Sequence, residues 1–260
     1  MLYLCAVKLN QLDKIKVGIV NYLNTRPLLY GIEHSPVNSE IELIGDYPAS
    51  LAKKLLDREI DLGLVPVAVI PKMEEYHIVS DYCISCNGPV ASVCLFSDVP
   101  LEKVETVLMD YQSRTSVALA KILLRNYWKI SPELVDTNDD YRSRINGTTA
   151  GLVIGDRSFE QRTRSPFIYD LGEAWKQYTG LPFVFAAWIS NRNLPHSFID
   201  SFNEANRSGV ENIEKVISNE HYPLFNLGDY YRKFISYELD NYKRMGLNKF
   251  LELLHSEKTV

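Results

Sequence analysis

Polar side chains crowd the point where the first convincing strand of this sequence turns into a helix. The stretch VNYLNTRPLL, residues 20–29, carries Asn24 and Thr25 just before an apolar turn that begins at Pro27. A plain strand-to-helix connection needs only one capping residue. Because this stretch holds more hydrogen-bonding groups than the turn requires, we expect Asn24 and Thr25 to belong to a binding or catalytic site.

A second polar cluster lies further along, in the sequence YQSRTS at residues 111–116. Ser113, Thr115 and Ser116 stand at the start of a strongly apolar helix predicted over 116–128. The N–H groups at the start of a helix, with hydroxyls beside them, suit a carboxylate or a phosphate. Serine and threonine are also the usual residues of an ordinary N-cap. The motif alone therefore leaves an anion site and a plain cap open.

Four further residues, at three places along the chain, complete the candidate set. Asp156 ends the most apolar strand of the second half, where it could cap the next helix, hold a substrate hydroxyl or orient a neighbour. Ser92 follows a turn at 87–89 on an extended stretch, where serine is more often structural. Thr179 and Gly180 form a turn in which glycine permits close backbone approach to a ligand, although a hinge turn explains them equally well.

Two sheets are needed to position these side chains. Strands alternate with helices twice along the chain, and this order predicts parallel sheets with helices packed on them. The clearest helix of the first half covers residues 49–58. The predicted strands are 14–20, 41–45, 60–66, 106–109, 134–136 and 150–155.

Two long extended stretches, 76–96 and 183–188, bracket the second half and suit a pair of crossover strands. We therefore predict an α/β protein with two lobes, joined by two crossings, and a cleft between the lobes. Ligands of open α/β sheets bind at the carboxyl ends of the strands, which would point into this cleft.

The predicted first lobe is discontinuous and comprises residues 1–97 plus 190–260, and the second comprises 98–189. Residues 197–254 are predicted to be helical, with an interruption at Gly246, and to pack back onto the first lobe. We interpret residues 1–13 as a frayed N-terminal extension, or as residues added because the start codon was assigned too early.

Composition argues against several functional classes. The chain has 260 residues, 46% of them hydrophobic and 23% charged, which is typical of a soluble globular protein. Its net charge of −5, without a block of like charges, disfavours a nucleic-acid surface. No apolar run reaches the roughly 18 residues of a membrane span, and no signal-peptide pattern is present. We expect a cytoplasmic protein with a small-molecule partner, without membrane insertion, as a monomer or a homodimer.

Metal and cofactor chemistry are not expected. Cys83 and Cys86 form a lone C-x-x-C with Cys94 beyond it, whereas a zinc site needs a second ligand pair at metal spacing. We interpret these cysteines as buried structural thiols. The five histidines are scattered without metal-ligand spacing.

Seven segments, taken together and in order, resemble one family. They are YLNTRPL (22–28), IDLGLVP (60–66), NGPVASVCLF (87–96), SRTS (113–116), VIGD (153–156), YDLGEAW (169–175) and TGLPFVFAAW (179–188). The set resembles the chorismate dehydratases of the futalosine route to menaquinone. That resemblance implies a type II periplasmic-binding-protein-like fold. It also implies conversion of chorismate to 3-[(1-carboxyvinyl)oxy]benzoate with loss of water, without a metal or an organic cofactor.

On this resemblance, the groups at 113–116 hold one carboxylate of the substrate, with help from Ser92 and the turn at 179–180. Asn24, with Thr25 beside it, would donate to the leaving hydroxyl or to a developing dienolate. The base would be either Asp156 or the substrate's own enolpyruvyl carboxylate. Two other interpretations stay open: an enzyme similar to the 1,4-dihydroxy-6-naphthoate synthase of the same pathway, and a non-catalytic solute-binding or sensor protein.

Overall fold

The computed structural model describes residues 14–218 and 222–257, so the interpretation of residues 1–13 lies outside the described residues. In chain order the strands are β1 (Ile15–Ile19), β2 (Ile41–Gly45), β3 (Leu62–Pro66), β4 (His77–Cys86), β5 (Val93–Ser97), β6 (Thr106–Met109), β7 (Glu133–Asp136), β8 (Thr149–Ile154), β9 (Phe167–Asp170), β10 (Phe183–Ser190) and β11 (Ser236–Glu238). The helices are α1 (Arg26–Glu33), α2 (Pro48–Leu56), α3 (Thr115–Ile122), α4 (Arg157–Gln161), α5 (Leu171–Thr179), α6 (His196–Glu211), α7 (Ile213–Ser218), α8 (Leu227–Asp229) and α9 (Asn241–Glu257).

These strands form two sheets. The first sheet has the order β11-β4-β10-β3-β1-β2, and the second has the order β7-β6-β8-β5-β9. In the first sheet β1 pairs in parallel with β2 and β3, and in the second β6 pairs in parallel with β7 and β8. These are the strands that the alternating pattern predicted to be parallel. The predicted two-lobed α/β fold is confirmed.

The chain crosses between the two sheets twice, and the strand that follows each crossing runs antiparallel to the strands it pairs with. The chain leaves the first sheet after β4 and enters the second at β5, and it returns from β9 to β10. Strand β10 runs antiparallel to β3 and β4, while β5 runs antiparallel to β8 and β9. Thus β5 belongs to the second sheet and β10 to the first. The lobe boundaries at 97/98 and 189/190 stay a prediction.

The helical tail differs from the prediction in two places. Residues 236–238 form β11, an edge strand that pairs with β4, instead of helix. The predicted interruption at Gly246 is wrong, because α9 continues through this residue. A Cβ at Gly246 would lie 2.0 Å from the carbonyl oxygen of Pro182, so glycine there permits close backbone contact between α9 and the segment before β10.

Two glycines bring α1 and α6 into direct backbone contact. A Cβ on Gly31 of α1 would lie 2.0 Å from the Ala205 carbonyl oxygen, and a Cβ on Gly209 of α6 would lie 2.0 Å from the Pro27 carbonyl oxygen. Side chains at either position would force the helices apart. Because α1 begins directly after Thr25, this contact also supports the turn that carries Asn24.

The predicted buried thiols are confirmed for Cys83, Cys86 and Cys94, which are buried and form no disulfide; Cys5 lies outside the described residues. Within residues 14–218 and 222–257, no group of three or more metal-ligating side chains is found. Over the same ranges no helix has the length and apolar character needed to cross a membrane.

Burial raises the pKa of the Cys83 thiol to about 12 and also raises the pKa values of Cys86 and Cys94. Because the thiolate is the reactive form, we expect these three thiols to resist alkylation in the folded protein at pH 8 and to react fully in denaturant. Peptide mapping by mass spectrometry measures each site separately. Rapid labelling of any of the three in the folded protein would contradict their burial.

Candidate active site

A cavity lies between the two sheets. The first sheet contributes residues in and just after β1, β3 and β10, and the second contributes residues of β5 and β8 and the start of α3. The lining is largely apolar, with a few hydroxyl and amide groups, as is usual for a small-molecule site. Its polar side chains are Tyr22, Asn24, Thr25, Ser113, Thr115 and Ser116. The structure thus brings five of the predicted site residues, all but Tyr22 in that set, into one cavity.

The main chain around Asn24 is held from several directions. The Thr25 hydroxyl donates to the carbonyl oxygens of Val20 and Tyr22, at 2.5 and 2.8 Å. The Tyr237 hydroxyl donates to the Asn24 carbonyl oxygen at 3.0 Å. Thr25 is 2% exposed, and its hydroxyl bonds shape the turn. A direct contact between Thr25 and a ligand stays a prediction.

The side chain of Asn24 contrasts with this well-bonded main chain. Its Oδ1 atom is buried and has no hydrogen-bond partner among the described residues. Leaving such an acceptor unsatisfied costs about 1–3 kcal/mol. In a cavity wall, this cost is recovered when a ligand donates to the amide, so Asn24 is the strongest ligand contact that the first sheet offers.

At the start of α3 the three predicted residues have different surroundings. The Ser113 Oγ accepts from the Ser116 N–H at 3.0 Å, so the ordinary capping interpretation holds for Ser113. The Thr115 Oγ1 accepts from the Ala68 N–H at 3.1 Å and so bonds to the first sheet. For the Ser116 hydroxyl, no partner occurs in the part of the chain that the structure describes, which leaves it available to a ligand.

Arg157 and Asp110 form an ion pair near the start of α3, and the Asp110 side chain in this pair is fully buried. Arg157 Nη2 lies 2.8 Å from Asp110 Oδ2, and its guanidinium lies 5.2 Å from the centre of the Tyr111 ring. Asp110 is 2% exposed and also accepts from the Tyr141 hydroxyl at 3.0 Å. Burial raises the pKa of Asp110, while the charge of Arg157 opposes that rise.

Tyr22 connects the cavity to this region, since its hydroxyl donates to Gln112 Oε1. Burial raises the pKa of Tyr22, which stays protonated at neutral pH. The candidate site residues taken from the sequence did not include Tyr22, Asp110 or Arg157. A usable signal existed for the last two, because Asp110 directly follows β6 and Arg157 follows β8 by three residues.

Three predicted residues lie outside the cavity lining. Ser92 is fully buried and accepts from the Tyr230 hydroxyl at 2.7 Å. Thr179 donates to the Trp175 carbonyl oxygen at 2.8 Å, and Gly180 ends α5 with a left-handed φ of 73°. These contacts match the structural interpretation of each residue, and their binding roles stay predictions.

Asp156 also lies outside the lining, but it touches the Asn24 turn. Its Oδ1 and Oδ2 atoms lie 3.1 and 3.3 Å from the Leu23 nitrogen, which donates to the carboxylate. Of the roles that the sequence left open for Asp156, capping of α4 is wrong, because no side-chain cap bond forms there. Its carboxylate instead reaches from the second sheet to the first.

Several solved structures share this architecture. A protein of Archaeoglobus fulgidus superimposes with a TM-score of 0.69 at 14% identity, covering 95% of this chain and 98% of the other. The aliphatic sulphonate binding protein SsuA of Escherichia coli does so with a TM-score of 0.58 at 14% identity, covering 95% and 93%. At such low identity the comparison establishes the fold alone. The fold and the cavity between the sheets define a protein of the periplasmic-binding-protein-like class.

The sequence comparison is more specific. Residues 15–256 match the family described as menaquinone biosynthesis, and the chain belongs to that family. The chorismate dehydratase of Thermus thermophilus is 27% identical over 92% of this chain and 94% of that protein. The chorismate dehydratase of Campylobacter jejuni is 28% identical over 65% of this chain and 64% of that protein.

Proposed function

We propose that this protein dehydrates chorismate to 3-[(1-carboxyvinyl)oxy]benzoate on the futalosine route to menaquinone. One observation carries the proposal: the buried Asn24 Oδ1 and the Ser116 hydroxyl at the start of α3, both without a partner among the described residues, line one cavity. Membership of the menaquinone family and the two chorismate dehydratase relatives support this choice of substrate. Cytoplasmic location and the choice between monomer and homodimer stay predictions.

The charged and polar groups of chorismate match the hydrogen-bonding groups of the cavity. Chorismate is a dianion with a ring carboxylate, an enolpyruvyl carboxylate and a C4 hydroxyl. The Ser116 hydroxyl and the N-terminus of α3 take the ring carboxylate, and the Asn24 amide holds the C4 hydroxyl. Loss of the C3 proton places negative charge on the ring carboxylate as a dienolate, beside the positive end of α3, where that charge is stabilised.

The elimination then needs little else from the protein. The electron pair of the C3–H bond passes into the ring, the C4–O bond breaks, and hydroxide leaves with the abstracted proton as water. The product ring is aromatic, so the overall reaction is strongly favourable and the protein acts mainly by orienting the substrate and stabilising charge.

Two groups were candidates for the base. The Asp156 carboxylate already accepts from the Leu23 N–H and lies outside the cavity lining. This geometry favours the other candidate, the enolpyruvyl carboxylate of the substrate. That carboxylate takes the C3 proton and gives it to the departing hydroxide.

Incubation of the purified protein with chorismate tests the function directly. We expect loss of the ultraviolet absorbance of chorismate. Mass spectrometry should show a product whose mass is lower than that of chorismate by one water molecule. Binding without conversion would favour a solute-binding protein. Turnover of the much larger nucleoside-derived substrate, with none of chorismate, would favour the naphthoate synthase.

Replacing Ser116 by alanine removes a hydroxyl that already binds the ring carboxylate in the ground state, while the N–H groups of α3 that stabilise the added dienolate charge remain. We expect KM for chorismate to rise about tenfold, with a smaller change in kcat, as for a group that binds both states uniformly. Steady-state kinetics measure both constants, and Ser131→Ala, at a position between α3 and β7, serves as a serine control. An unchanged KM would place the anion site elsewhere.

A further inference from the structure

The side chain of Asp156 does not serve its own helix. This residue stands between β8 and α4, where an aspartate ordinarily accepts from the first N–H groups of the helix. No such bond forms. Its two carboxylate oxygens instead lie 3.1 and 3.3 Å from the nitrogen of Leu23, the residue directly before Asn24. These two residues are 133 positions apart and follow strands of different sheets.

Neighbouring contacts hold Asp156 and the turn in this arrangement. The Tyr222 hydroxyl donates to the Asp156 carbonyl oxygen at 3.0 Å. Gly155 has a left-handed φ of 64°, and a Cβ there would lie 3.1 Å from the Tyr22 ring. The ring of Tyr22 therefore packs directly on the backbone next to Asp156. The turn at 22–24 thus contacts the second half of the chain in three ways: the Tyr22 ring packs on Gly155, the Tyr22 hydroxyl donates to Gln112 Oε1, and the Leu23 N–H donates to Asp156.

Other hydrogen bonds cross between the sheets as well. The Ala49 N–H donates to the Gln112 carbonyl oxygen at 3.3 Å, and the Ala68 N–H donates to Thr115 Oγ1 at 3.1 Å. The contact from Leu23 differs from these two because its acceptor is a carboxylate and because it adjoins the residue that contacts the substrate. Hydrogen bonds to charged groups contribute about 1.5–3 kcal/mol, roughly twice a neutral bond.

We propose that Asp156 is a positioning residue that couples closure of the two sheets to the placement of Asn24. When the sheets approach, its carboxylate accepts from the Leu23 N–H and fixes the turn, so that the Asn24 amide faces the substrate hydroxyl. The Tyr237 hydroxyl holds the same turn from the first sheet, through the Asn24 carbonyl oxygen. The consequence for catalysis rests on the proposed function, whereas the structural coupling does not.

Two substitutions separate positioning from proton abstraction. Asp156→Asn retains an oxygen that accepts from Leu23, so its kcat should stay within about threefold of wild type. Asp156→Ala removes the acceptor, and displacement of Asn24 by about 1 Å should lower kcat about 100-fold, with a smaller change in KM. A general base would instead require the carboxylate, and both variants would lose a similar factor of about 10²–10⁴. Equal loss in both variants overturns the proposal.

Asp98→Ala provides a matched control. Its carboxylate accepts from the Gly147 N–H at 3.2 Å, a bond to a backbone amide that stays on the second-sheet side of the cavity. Loss of that bond should leave kcat unchanged. If the Asp98 and Asp156 alanine variants lost the same fraction of kcat, the effect would be general loss of order, and the proposed coupling would be wrong.

A measurement without substrate tests the coupling itself. Hydrogen exchange at the Leu23 amide, followed by mass spectrometry or NMR, should be slow in wild type, faster in Asp156→Asn and at least tenfold faster in Asp156→Ala, since loss of about 1.4 kcal/mol corresponds to tenfold. Exchange at the Ala68 amide, which bonds to Thr115, should change less. Unaltered exchange at Leu23 in Asp156→Ala would overturn the proposal. This result does not depend on chorismate, so it is distinguishable from failure of the proposed function.

Discussion

Replacement of Asn24 by alanine should lower kcat for chorismate dehydration about 100-fold, because the leaving hydroxyl loses the acceptor that orients it at the reacting centre. The Oδ1 atom of Asn24 is buried in the cavity wall without a partner among the described residues, while its main chain is held by Tyr237. Within the described part of the chain, the Oδ1 atom therefore has no hydrogen bond to lose. Its removal should cost activity without cost to stability, because the unsatisfied acceptor disappears as well.

Asn21→Ala is the matched control for this experiment. Asn21 lies three positions earlier in the same stretch, but it is exposed and lines a different surface pocket. Its replacement should leave kcat and KM near wild type. Steady-state kinetics on both variants, with thermal unfolding measured beside them, separate the two effects. Undiminished turnover by Asn24→Ala would remove Asn24 from the mechanism.

Substitution of Gly31 by alanine should produce the largest loss of stability, about 3 kcal/mol in the free energy of unfolding. The new Cβ would lie 2.0 Å from the Ala205 carbonyl oxygen and 2.6 Å from the Gly209 nitrogen. Both neighbours are backbone atoms of α6, so neither can rotate away as a side chain would. The helices must separate, and the packing between α1 and α6 is lost with them.

Gly45→Ala is the control, because no atom lies within 4 Å of the position that its Cβ would occupy. Its effect should stay within about 0.5 kcal/mol, as for most surface substitutions. Urea unfolding gives both values. If Gly31→Ala and Gly45→Ala unfolded at the same urea concentration, the close contact between α1 and α6 would not support the fold.

Gly31→Ala should also raise KM for chorismate at temperatures where the variant stays folded, since α1 begins at Arg26, two residues after Asn24.

The local pattern of residues was enough to predict the parallel strands and part of the site. The strand predicted over 106–109 is β6 with the same bounds, and the strands predicted over 41–45 and 150–155 match β2 and β8 to within a residue. Their alternation with helices requires sheets whose strand ends share an edge. For this reason the polar residues after β1 and at the start of α3 were expected to meet, and Asn24 and Ser116 do line one cavity.

Errors arose where a glycine, a strand or a carboxylate has a partner far along the chain. Gly246 resembles a helix break in sequence, yet α9 continues through it, and the glycine instead permits close contact with the Pro182 carbonyl oxygen. Residues 236–238 form a strand because the edge of β4 is available to pair with them. Neither partner is visible in a window of ten or fifteen residues, since tertiary contacts override local propensity.

The residue types alone thus established an α/β protein with hydroxyl and amide groups at its strand ends, because hydrophobic periodicity and capping chemistry are local properties of a chain. They did not establish which of these groups a ligand can reach. Ser113 and Ser116 are three positions apart in one motif, yet the first is used as a cap and the second stays open. Asp156 crosses to Leu23 instead of capping α4. Such assignments depend on how the two sheets approach each other, a property of the folded molecule that has no counterpart in any single segment.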